Sequence, residues 1–285
     1  MVHTLKNNVN SHYKNIFKSM KRIRLIEEEI SKNYKFEKMR CPTHLSIGQE
    51  FVGGLISLFL KKKDFAISTH RAHAHYLGKG GCLKSLVSEL YGKITGCSKG
   101  RGGSMHLIDK KVSFMGSTAI VGANIPIGVG LSLSIKLDKS NNISCIFLGD
   151  GSIEEGVFYE SVNFCAVKNT PALFVCENNK YSVYSPLRVR QPNGRKIHRM
   201  VSNLGVKTFS VNSKNINDTI DKFQQAVKFV REKKHPAFIE ILTYRWKEHC
   251  GPNEDNDLNY RPHKEFLNWK KNDPLNKIEK LLIRN

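Results

Sequence analysis

Two short polar runs carry the residues best suited to chemistry in this chain. Gly149-Asp150-Gly151-Ser152 follows the apolar run Ile143-Ser144-Cys145-Ile146-Phe147-Leu148, and Glu177-Asn178-Asn179-Lys180-Tyr181 follows Ala172-Leu173-Phe174-Val175-Cys176. The Asp150 carboxylate and the Asn179 amide oxygen are hard donors, the kind Mg²⁺ takes in octahedral geometry beside carbonyls, phosphates and water. Backbone amides of a glycine-rich turn at a helix start can face phosphate oxygens. The chemistry indicated is that of a metal-bridged diphosphate. A lone Gly-Asp-Gly is a common turn, so the weight falls on the second polar run at the end of a second apolar one.

For the runs to meet, the intervening chain must form a β-α-β unit. Residues Glu154 to Lys168 supply the helix, with Val157, Phe158, Ser161, Val162, Cys165 and Ala166 on one face and Glu154 and Glu155 in the first turn. Two parallel strands joined by a right-handed crossover put both polar tips at the carboxyl edge of the sheet, where open α/β sheets bind ligands. A further strand, Asp64 to Thr69, runs into His70-Arg71-Ala72-His73-Ala74-His75. Arginine's planar, permanently charged fork suits diphosphate oxygens. His73 and His75 alternate as metal ligands can, but no third ligand of the right type stands nearby, which disfavours zinc. The glycine-rich stretch Gly96 to His106 lacks the Gly-Lys-Ser/Thr ending of a P-loop, and its Lys99 and Arg101 read as solvated.

Taken in order, these motifs resemble the thiamine diphosphate motif and, more narrowly, the alpha subunits of the heteromeric 2-oxo acid dehydrogenases that act on pyruvate, branched-chain 2-oxo acids and acetoin. The resemblance runs from about Ile23 to about Leu282. It implies an α/β thiamine diphosphate-binding fold: a doubly wound, mostly parallel sheet flanked by helices. It assigns Mg²⁺ ligation to Asp150, the Asn179 side chain and the Tyr181 carbonyl, within a turn that also offers Gly149, Gly151 and Ser152 to the diphosphate. Arg71 inherits the diphosphate grip. His70 stands where relatives carry a cofactor-touching tyrosine. The backbone at Ala119 and Val121 faces the aminopyrimidine, and Val183 is the apolar wedge that bends the cofactor. His249 sits by the diphosphate and thiazolium, His44 faces the substrate, and His73 joins them as a candidate proton donor or substrate contact. Lys247 and Glu248 replace a histidine and a glycine of the family pattern, and Cys250 replaces a serine that some relatives phosphorylate.

The remaining stretches are expected to position these groups or to lie at the surface. Tyr13 to Tyr34 reads as a packing helix with Ile16, Met20, Ile23, Ile26 and Ile30 on one stripe. Apolar helices are expected up to Leu60, from Leu83 to Tyr91, and from Ile127 to Leu137. Strands are expected over Lys207 to Asn212 and Ala237 to Thr243, with a helix from Ile216 to Lys233 between them. Leu187 to Arg199 reads as a basic surface loop near the site mouth, Gly251 to Asp257 as an acidic lid or solvated loop, and the tail as a turn and short helix to Leu282.

Composition narrows the setting. With no Pro/Gly/Ser-rich linker or repeat, residues 1–285 read as one domain with a large core. No signal-peptide core and no apolar run long enough to span a bilayer are visible, so a cytoplasmic protein is expected. The 7 cysteines form no CxxC, and reduced, mostly buried thiols are expected. The net charge of +21 would ordinarily suggest nucleic acid or an acidic membrane. The basic residues are spread out rather than gathered in a stripe, and an anionic cofactor with an acidic partner subunit accounts for them equally well.

The resemblance thus implies a thiamine diphosphate- and Mg²⁺-dependent oxidoreductase subunit that decarboxylates a 2-oxo acid and passes the acyl group to a lipoyl-bearing acyltransferase. A separate beta subunit, in an α₂β₂ heterotetramer, would complete the site. Two rivals stand beside it: a split transketolase-like or acetoin/carboligase-type subunit, and a catalytically silent assembly subunit.

Overall fold

The computed structural model describes residues 2–284. Six strands form one parallel sheet: β1 (Phe65–Ser68), β2 (Phe114–Ser117), β3 (Ser144–Gly149), β4 (Ala172–Asn178), β7 (Lys207–Asn212) and β8 (Ala237–Leu242), in the order β2-β1-β3-β4-β8-β7. A small antiparallel pair, β5 (Tyr181–Ser182) and β6 (Ser185–Pro186), follows β4. The central strands β3 and β4 are buried along nearly their whole length and apolar over 145–148 and 172–176, because helices cover both faces and leave no solvent side to alternate toward.

Register brings the chemistry together. Gly149 pairs with Glu177, Asn178 pairs with Leu242, and Ile67 pairs with Ile146. The segments leaving β1, β3, β4 and β8 therefore emerge at one edge, carrying His70-Arg71, Gly149-Asp150, Asn179 and Thr243 to His249. Strand order reverses between β1 and β3, and the crevice outside such a switch point is where open α/β sheets hold ligands.

One face of the sheet is covered by α1 (Val2–Tyr34), α2 (Glu50–Phe59), α3 (His73–Gly78), α9 (Ile216–Lys233) and α11 (Pro274–Arg284), whose Ile16, Met20, Leu55, Phe223 and Ile278 join its core. The other face is covered by α5 (Asn124–Leu137), α6 (Gly156–Lys168) and α8 (Ile197–Ser202), through Ile125, Val129, Phe158, Val162, Ile197 and Val201. Each such side chain contributes about 1.5–3 kcal/mol of burial. The remaining helices are α4 (Leu83–Leu90), α7 (Leu187–Arg190) and α10 (His263–Lys271). In α1 the expected stripe is buried at Ile16, Met20, Ile23 and Ile30, with Ile26 half-buried.

Several expectations are corrected. The turn after β3 is a 3-10 helix over Asp150–Glu154, and Glu155 is extended and caps α6, so neither glutamate lies in the first turn of that helix. The region expected to be a surface loop holds α7 and the start of α8, and buries Ile197. The acidic stretch is pinned by Asp255, buried at 2% exposure between Arg245 and Arg261. The cysteines are less buried than expected: Cys145, Cys165 and Cys176 are inside, Cys41 and Cys97 half-buried, and Cys82 and Cys250 exposed.

Candidate functional site

A cavity of about 190 Å³ opens at the carboxyl edge of the sheet. Twelve of the residues singled out in the sequence line it: His44, His70, Arg71, Ala119, Val121, Gly149, Asp150, Gly151, Ser152, Asn179, Tyr181 and Val183, and His249 makes one more. Gln49, Thr69, Met105, Leu148, Glu177 and Ser182 complete the wall.

At one end lies a corner of oxygens. Asp150 is 1% exposed, and its Oδ1 accepts the Asn179 backbone N–H at 3.3 Å. The Asn179 Oδ1 in turn accepts the Tyr181 N–H at 3.1 Å, which folds the three candidate metal ligands over one another. Burial pushes the Asp150 carboxyl up, while the adjacent Arg190 guanidinium pulls it back. Arg190 reaches in from α7, with Nη2 on Asp150 Oδ2 and Nη1 2.6 Å from Glu154 Oε1. A buried carboxylate that recruits a cation from another element is a fit for a divalent metal, as is the all-oxygen donor set of Asp150, Asn179 and the Tyr181 carbonyl.

Arg71 stands across from this corner. Its guanidinium donates through Nη1 to the Leu45 carbonyl at 2.6 Å and through Nη2 to the His249 carbonyl at 2.9 Å. One side chain at the end of β1 therefore ties together the segments bearing His44 and His249. Burial, and then the nearby Arg245, lower the Arg71 pKa to about 9. The three imidazoles of His44, His70 and His249 face one another with ring centroids 4.6, 5.0 and 5.2 Å apart. Burial, reinforced by Arg71, lowers them to about 2 for His44, about 4 for His70 and about 3 for His249. All three are neutral at pH 7, each with one ring nitrogen able to donate and the other to accept a hydrogen bond.

His73 departs from expectation. It opens α3 pointing inward, is 0% exposed, and does not reach the cavity. Its Nδ1 meets Glu27 Oε1 at 2.6 Å and its Nε2 meets Ser104 Oγ at 2.9 Å, and Ser104 Oγ also accepts the His44 N–H at 3.3 Å. With both ring nitrogens engaged, His73 positions the His44 segment and is no substrate contact. His75 belongs to a separate chain of contacts: Ser68 Oγ lies 2.7 Å from its Nδ1, Glu177 Oε2 lies 2.6 Å from its Nε2, and Gln49 bridges Glu177 to Asn179 with two contacts of 3.5 Å. The alternating pair therefore forms no metal site of its own.

Val183 has φ +53°, a left-handed conformation costly for a β-branched residue. It is held there because the buried Arg245 donates to its carbonyl at 2.7 Å, with Arg245 itself anchored by Tyr260 at 2.8 Å and Asp255 at 3.3 Å. Gly48, at φ +96°, is required where the His44 segment crosses the His249 segment, since a Cβ would lie 2.6 Å from the Trp246 ring and the Tyr244 carbonyl. Sequence reasoning assigned no role to Gln49, Glu177, Arg190 or Arg245. Glu177 was within reach, as the first residue of the second polar run.

Comparison with known proteins gives the chain's family. The model of the dehydrogenase E1 component family matches residues 18–285. The pyruvate dehydrogenase E1 component subunit alpha of Rickettsia bellii is 35% identical over 97% of this chain and 84% of its own length. That of Rickettsia felis is 36% identical over 94% and 81%. The mitochondrial pyruvate dehydrogenase E1 component subunit alpha-1 of Arabidopsis thaliana is 34% identical over 94% and 67%. A family model spanning this much of the chain, together with relatives of this identity and coverage, means that the chain belongs to the dehydrogenase E1 component family, among the 2-oxo acid dehydrogenase alpha subunits that its motifs resemble.

Proposed function

We propose that this chain is the thiamine diphosphate- and Mg²⁺-gripping half of a 2-oxo acid dehydrogenase, decarboxylating a 2-oxo acid and passing the acyl group to a lipoyl carrier. The observation that carries the reading is the oxygen corner of Asp150 and Asn179 facing the Arg71 fork across one buried cavity. Asp150, the Asn179 side chain and the Tyr181 carbonyl would hold the metal. Arg71 would take diphosphate oxygens bidentately, and the backbone at Ala119 and Val121 would meet the aminopyrimidine. Bound thiamine diphosphate supplies the electron sink for carbanion chemistry.

The chain's own residues do the rest. Val183, fixed by Arg245, would present an apolar wedge to the cavity, whose wall also carries the apolar side chains of Met105, Leu148 and Val121. His44 and His249, neutral because buried, are placed to donate a ring N–H to a substrate carboxylate or carbonyl. His73 and Ser104 hold the His44 backbone in place, and Arg71 holds both histidine segments.

A beta subunit would supply the other wall. Helix α5 is apolar nearly all round, which suits a helix buried on every side. Yet Ile127 is 54% and Leu137 72% exposed, and Ile120, next to cavity-lining Val121, is 67% exposed. An α₂β₂ heterotetramer covering this face would close the site, with the chain as one domain of it. No helix among the described residues is long and apolar enough to cross a membrane, and a cytoplasmic setting fits the reading.

The test is 2-oxo acid oxidation with an artificial electron acceptor, using the chain with and without its beta-type partner and with thiamine diphosphate and Mg²⁺ present. Turnover only from the pair is expected. Full activity from the chain alone would overturn the half-site reading.

A further inference from the structure

His44, His70 and His249 come from three different segments: the turn before α2, the end of β1 and the loop after β8. Their potential ligand nitrogens all lie within 4.8 Å of one another. Three imidazoles converging in this way are a donor set with its own preference, distinct from the oxygens of Asp150 and Asn179. Hard Mg²⁺ favours the oxygens, and borderline ions such as Zn²⁺, Co²⁺ and Ni²⁺ favour the imidazoles.

A second feature points to a ligand. His44 is 6% exposed, and its Nδ1 is buried without a hydrogen-bond partner. A buried, unpaired ring nitrogen costs free energy until something binds it. From these two observations we propose that the three imidazoles form a transition-metal site for Zn²⁺ or a similar borderline divalent ion, with a fourth position open toward the cavity.

The geometry requires a modest contraction. Zinc–nitrogen bonds of about 2.0–2.1 Å in a tetrahedron put ligand nitrogens about 3.3–3.4 Å apart, so the widest pair must close by roughly 1.5 Å. Rotation of loop-borne rings can supply this, and Arg71 already tethers two of the three segments through the Leu45 and His249 carbonyls. The rings are neutral at pH 7, the form a metal takes up without displacing a proton. The opposing charges are the Arg71 guanidinium and, near His249, that of Arg245, which lower affinity for any cation here, and Glu177 on the same cavity wall partly offsets them. A bound ion would occupy ring nitrogens that otherwise face the cavity, so micromolar Zn²⁺ is expected to block whatever chemistry the cavity performs.

The test uses Co²⁺ as an optical probe of the purified full chain, alone or in its assembly, with Mg²⁺ in excess and no thiamine diphosphate. One equivalent should give the intense visible absorption of four-coordinate Co²⁺, displaced by Zn²⁺. His70→Gln and His249→Gln should each weaken Co²⁺ binding at least tenfold while circular dichroism stays that of the parent. His70→Phe, which keeps a ring in the same space, should do the same. Absence of the four-coordinate band in the parent chain would overturn the proposal. So would binding unchanged in the folded variants, or a thiolate charge-transfer band marking the exposed Cys82 or Cys250 as the ligand instead.

Discussion

Replacing Arg190 by methionine should tighten Mg²⁺ binding. The Arg190 guanidinium occupies Asp150 Oδ2 and Glu154 Oε1, with side-chain exposures of 10% for Arg190 and 2% for Asp150. A metal that takes Asp150 must first displace this cation. Opposite charges about 4 Å apart attract by about 4 kcal/mol at an effective dielectric near 20. Fixing a long arginine side chain costs about 2 kcal/mol of that. The pair is thus worth about 2 kcal/mol to the metal-free state, and its loss should raise apparent Mg²⁺ affinity roughly 30-fold. Methionine keeps most of the apolar stem and removes only the charge. Calorimetric titration of Mg²⁺ at saturating thiamine diphosphate gives the affinity directly. Thermal unfolding provides a second reading, because the metal-free variant, with Asp150 buried and unpaired, should melt lower than the parent yet gain more from Mg²⁺. Unchanged or weaker Mg²⁺ affinity would refute the displacement argument and make Arg190 a cofactor contact in its own right.

Arg71→Lys retains a charge but cannot bridge the Leu45 and His249 carbonyls or present a planar fork, so thiamine diphosphate affinity should fall at least tenfold in a binding titration. Arg24→Met strips the cation from Glu50 and Asp273, both 1% exposed, and should lower unfolding free energy by about 3–5 kcal/mol in urea. Stability should also fall on acidification. His44, His70 and His249 stand at about 2, 4 and 3 in the folded chain against 6.5 unfolded, so below about pH 6.5 the unfolded chain takes up protons that the folded chain refuses. Each contributes a loss of up to about 1.4 kcal/mol per pH unit through that window. Asp150, Glu50 and Asp273, pushed up by burial, bind protons more readily when folded and should blunt the fall at the acid end. A melting temperature flat from pH 7 to 5 would contradict the burial of the three rings.

The parts of this molecule that sequence makes visible are those whose signal is local. β3 and β4 are unbroken apolar runs ending in polar turns, and their pairing brings Asp150 and Asn179 together without long-range information. Arg190 was hidden because it sits among alternating basic residues with no period, and its partner Asp150 lies 40 positions earlier. His73 shares a motif with Arg71, yet α3 begins at that residue and turns the ring toward Glu27, on a helix that reads as pure packing. β2 is four residues long with a glycine in it, too short and too weak in β propensity to register beside the turn that follows. Asp255 lies in an acidic, turn-rich run that looks solvated until two arginines from elsewhere in the tail close on it. For Arg190 and His73 a buried polar group found its partner 40 and 46 positions away, a distance that composition and periodicity do not encode.

The most direct test of the oxygen corner is a calorimetric titration of thiamine diphosphate, with and without Mg²⁺, into the assembled protein and its Asp150→Ala and Asn179→Ala variants. Both positions lie at strand ends on the cavity wall, outside the hydrophobic clusters, so both variants should fold. The parent should bind the cofactor tightly only when Mg²⁺ is present, and each variant should lose that Mg²⁺-dependent binding while keeping the parent's circular dichroism. Undiminished, Mg²⁺-dependent affinity in either folded variant would contradict the assignment of Asp150 and Asn179 to the metal.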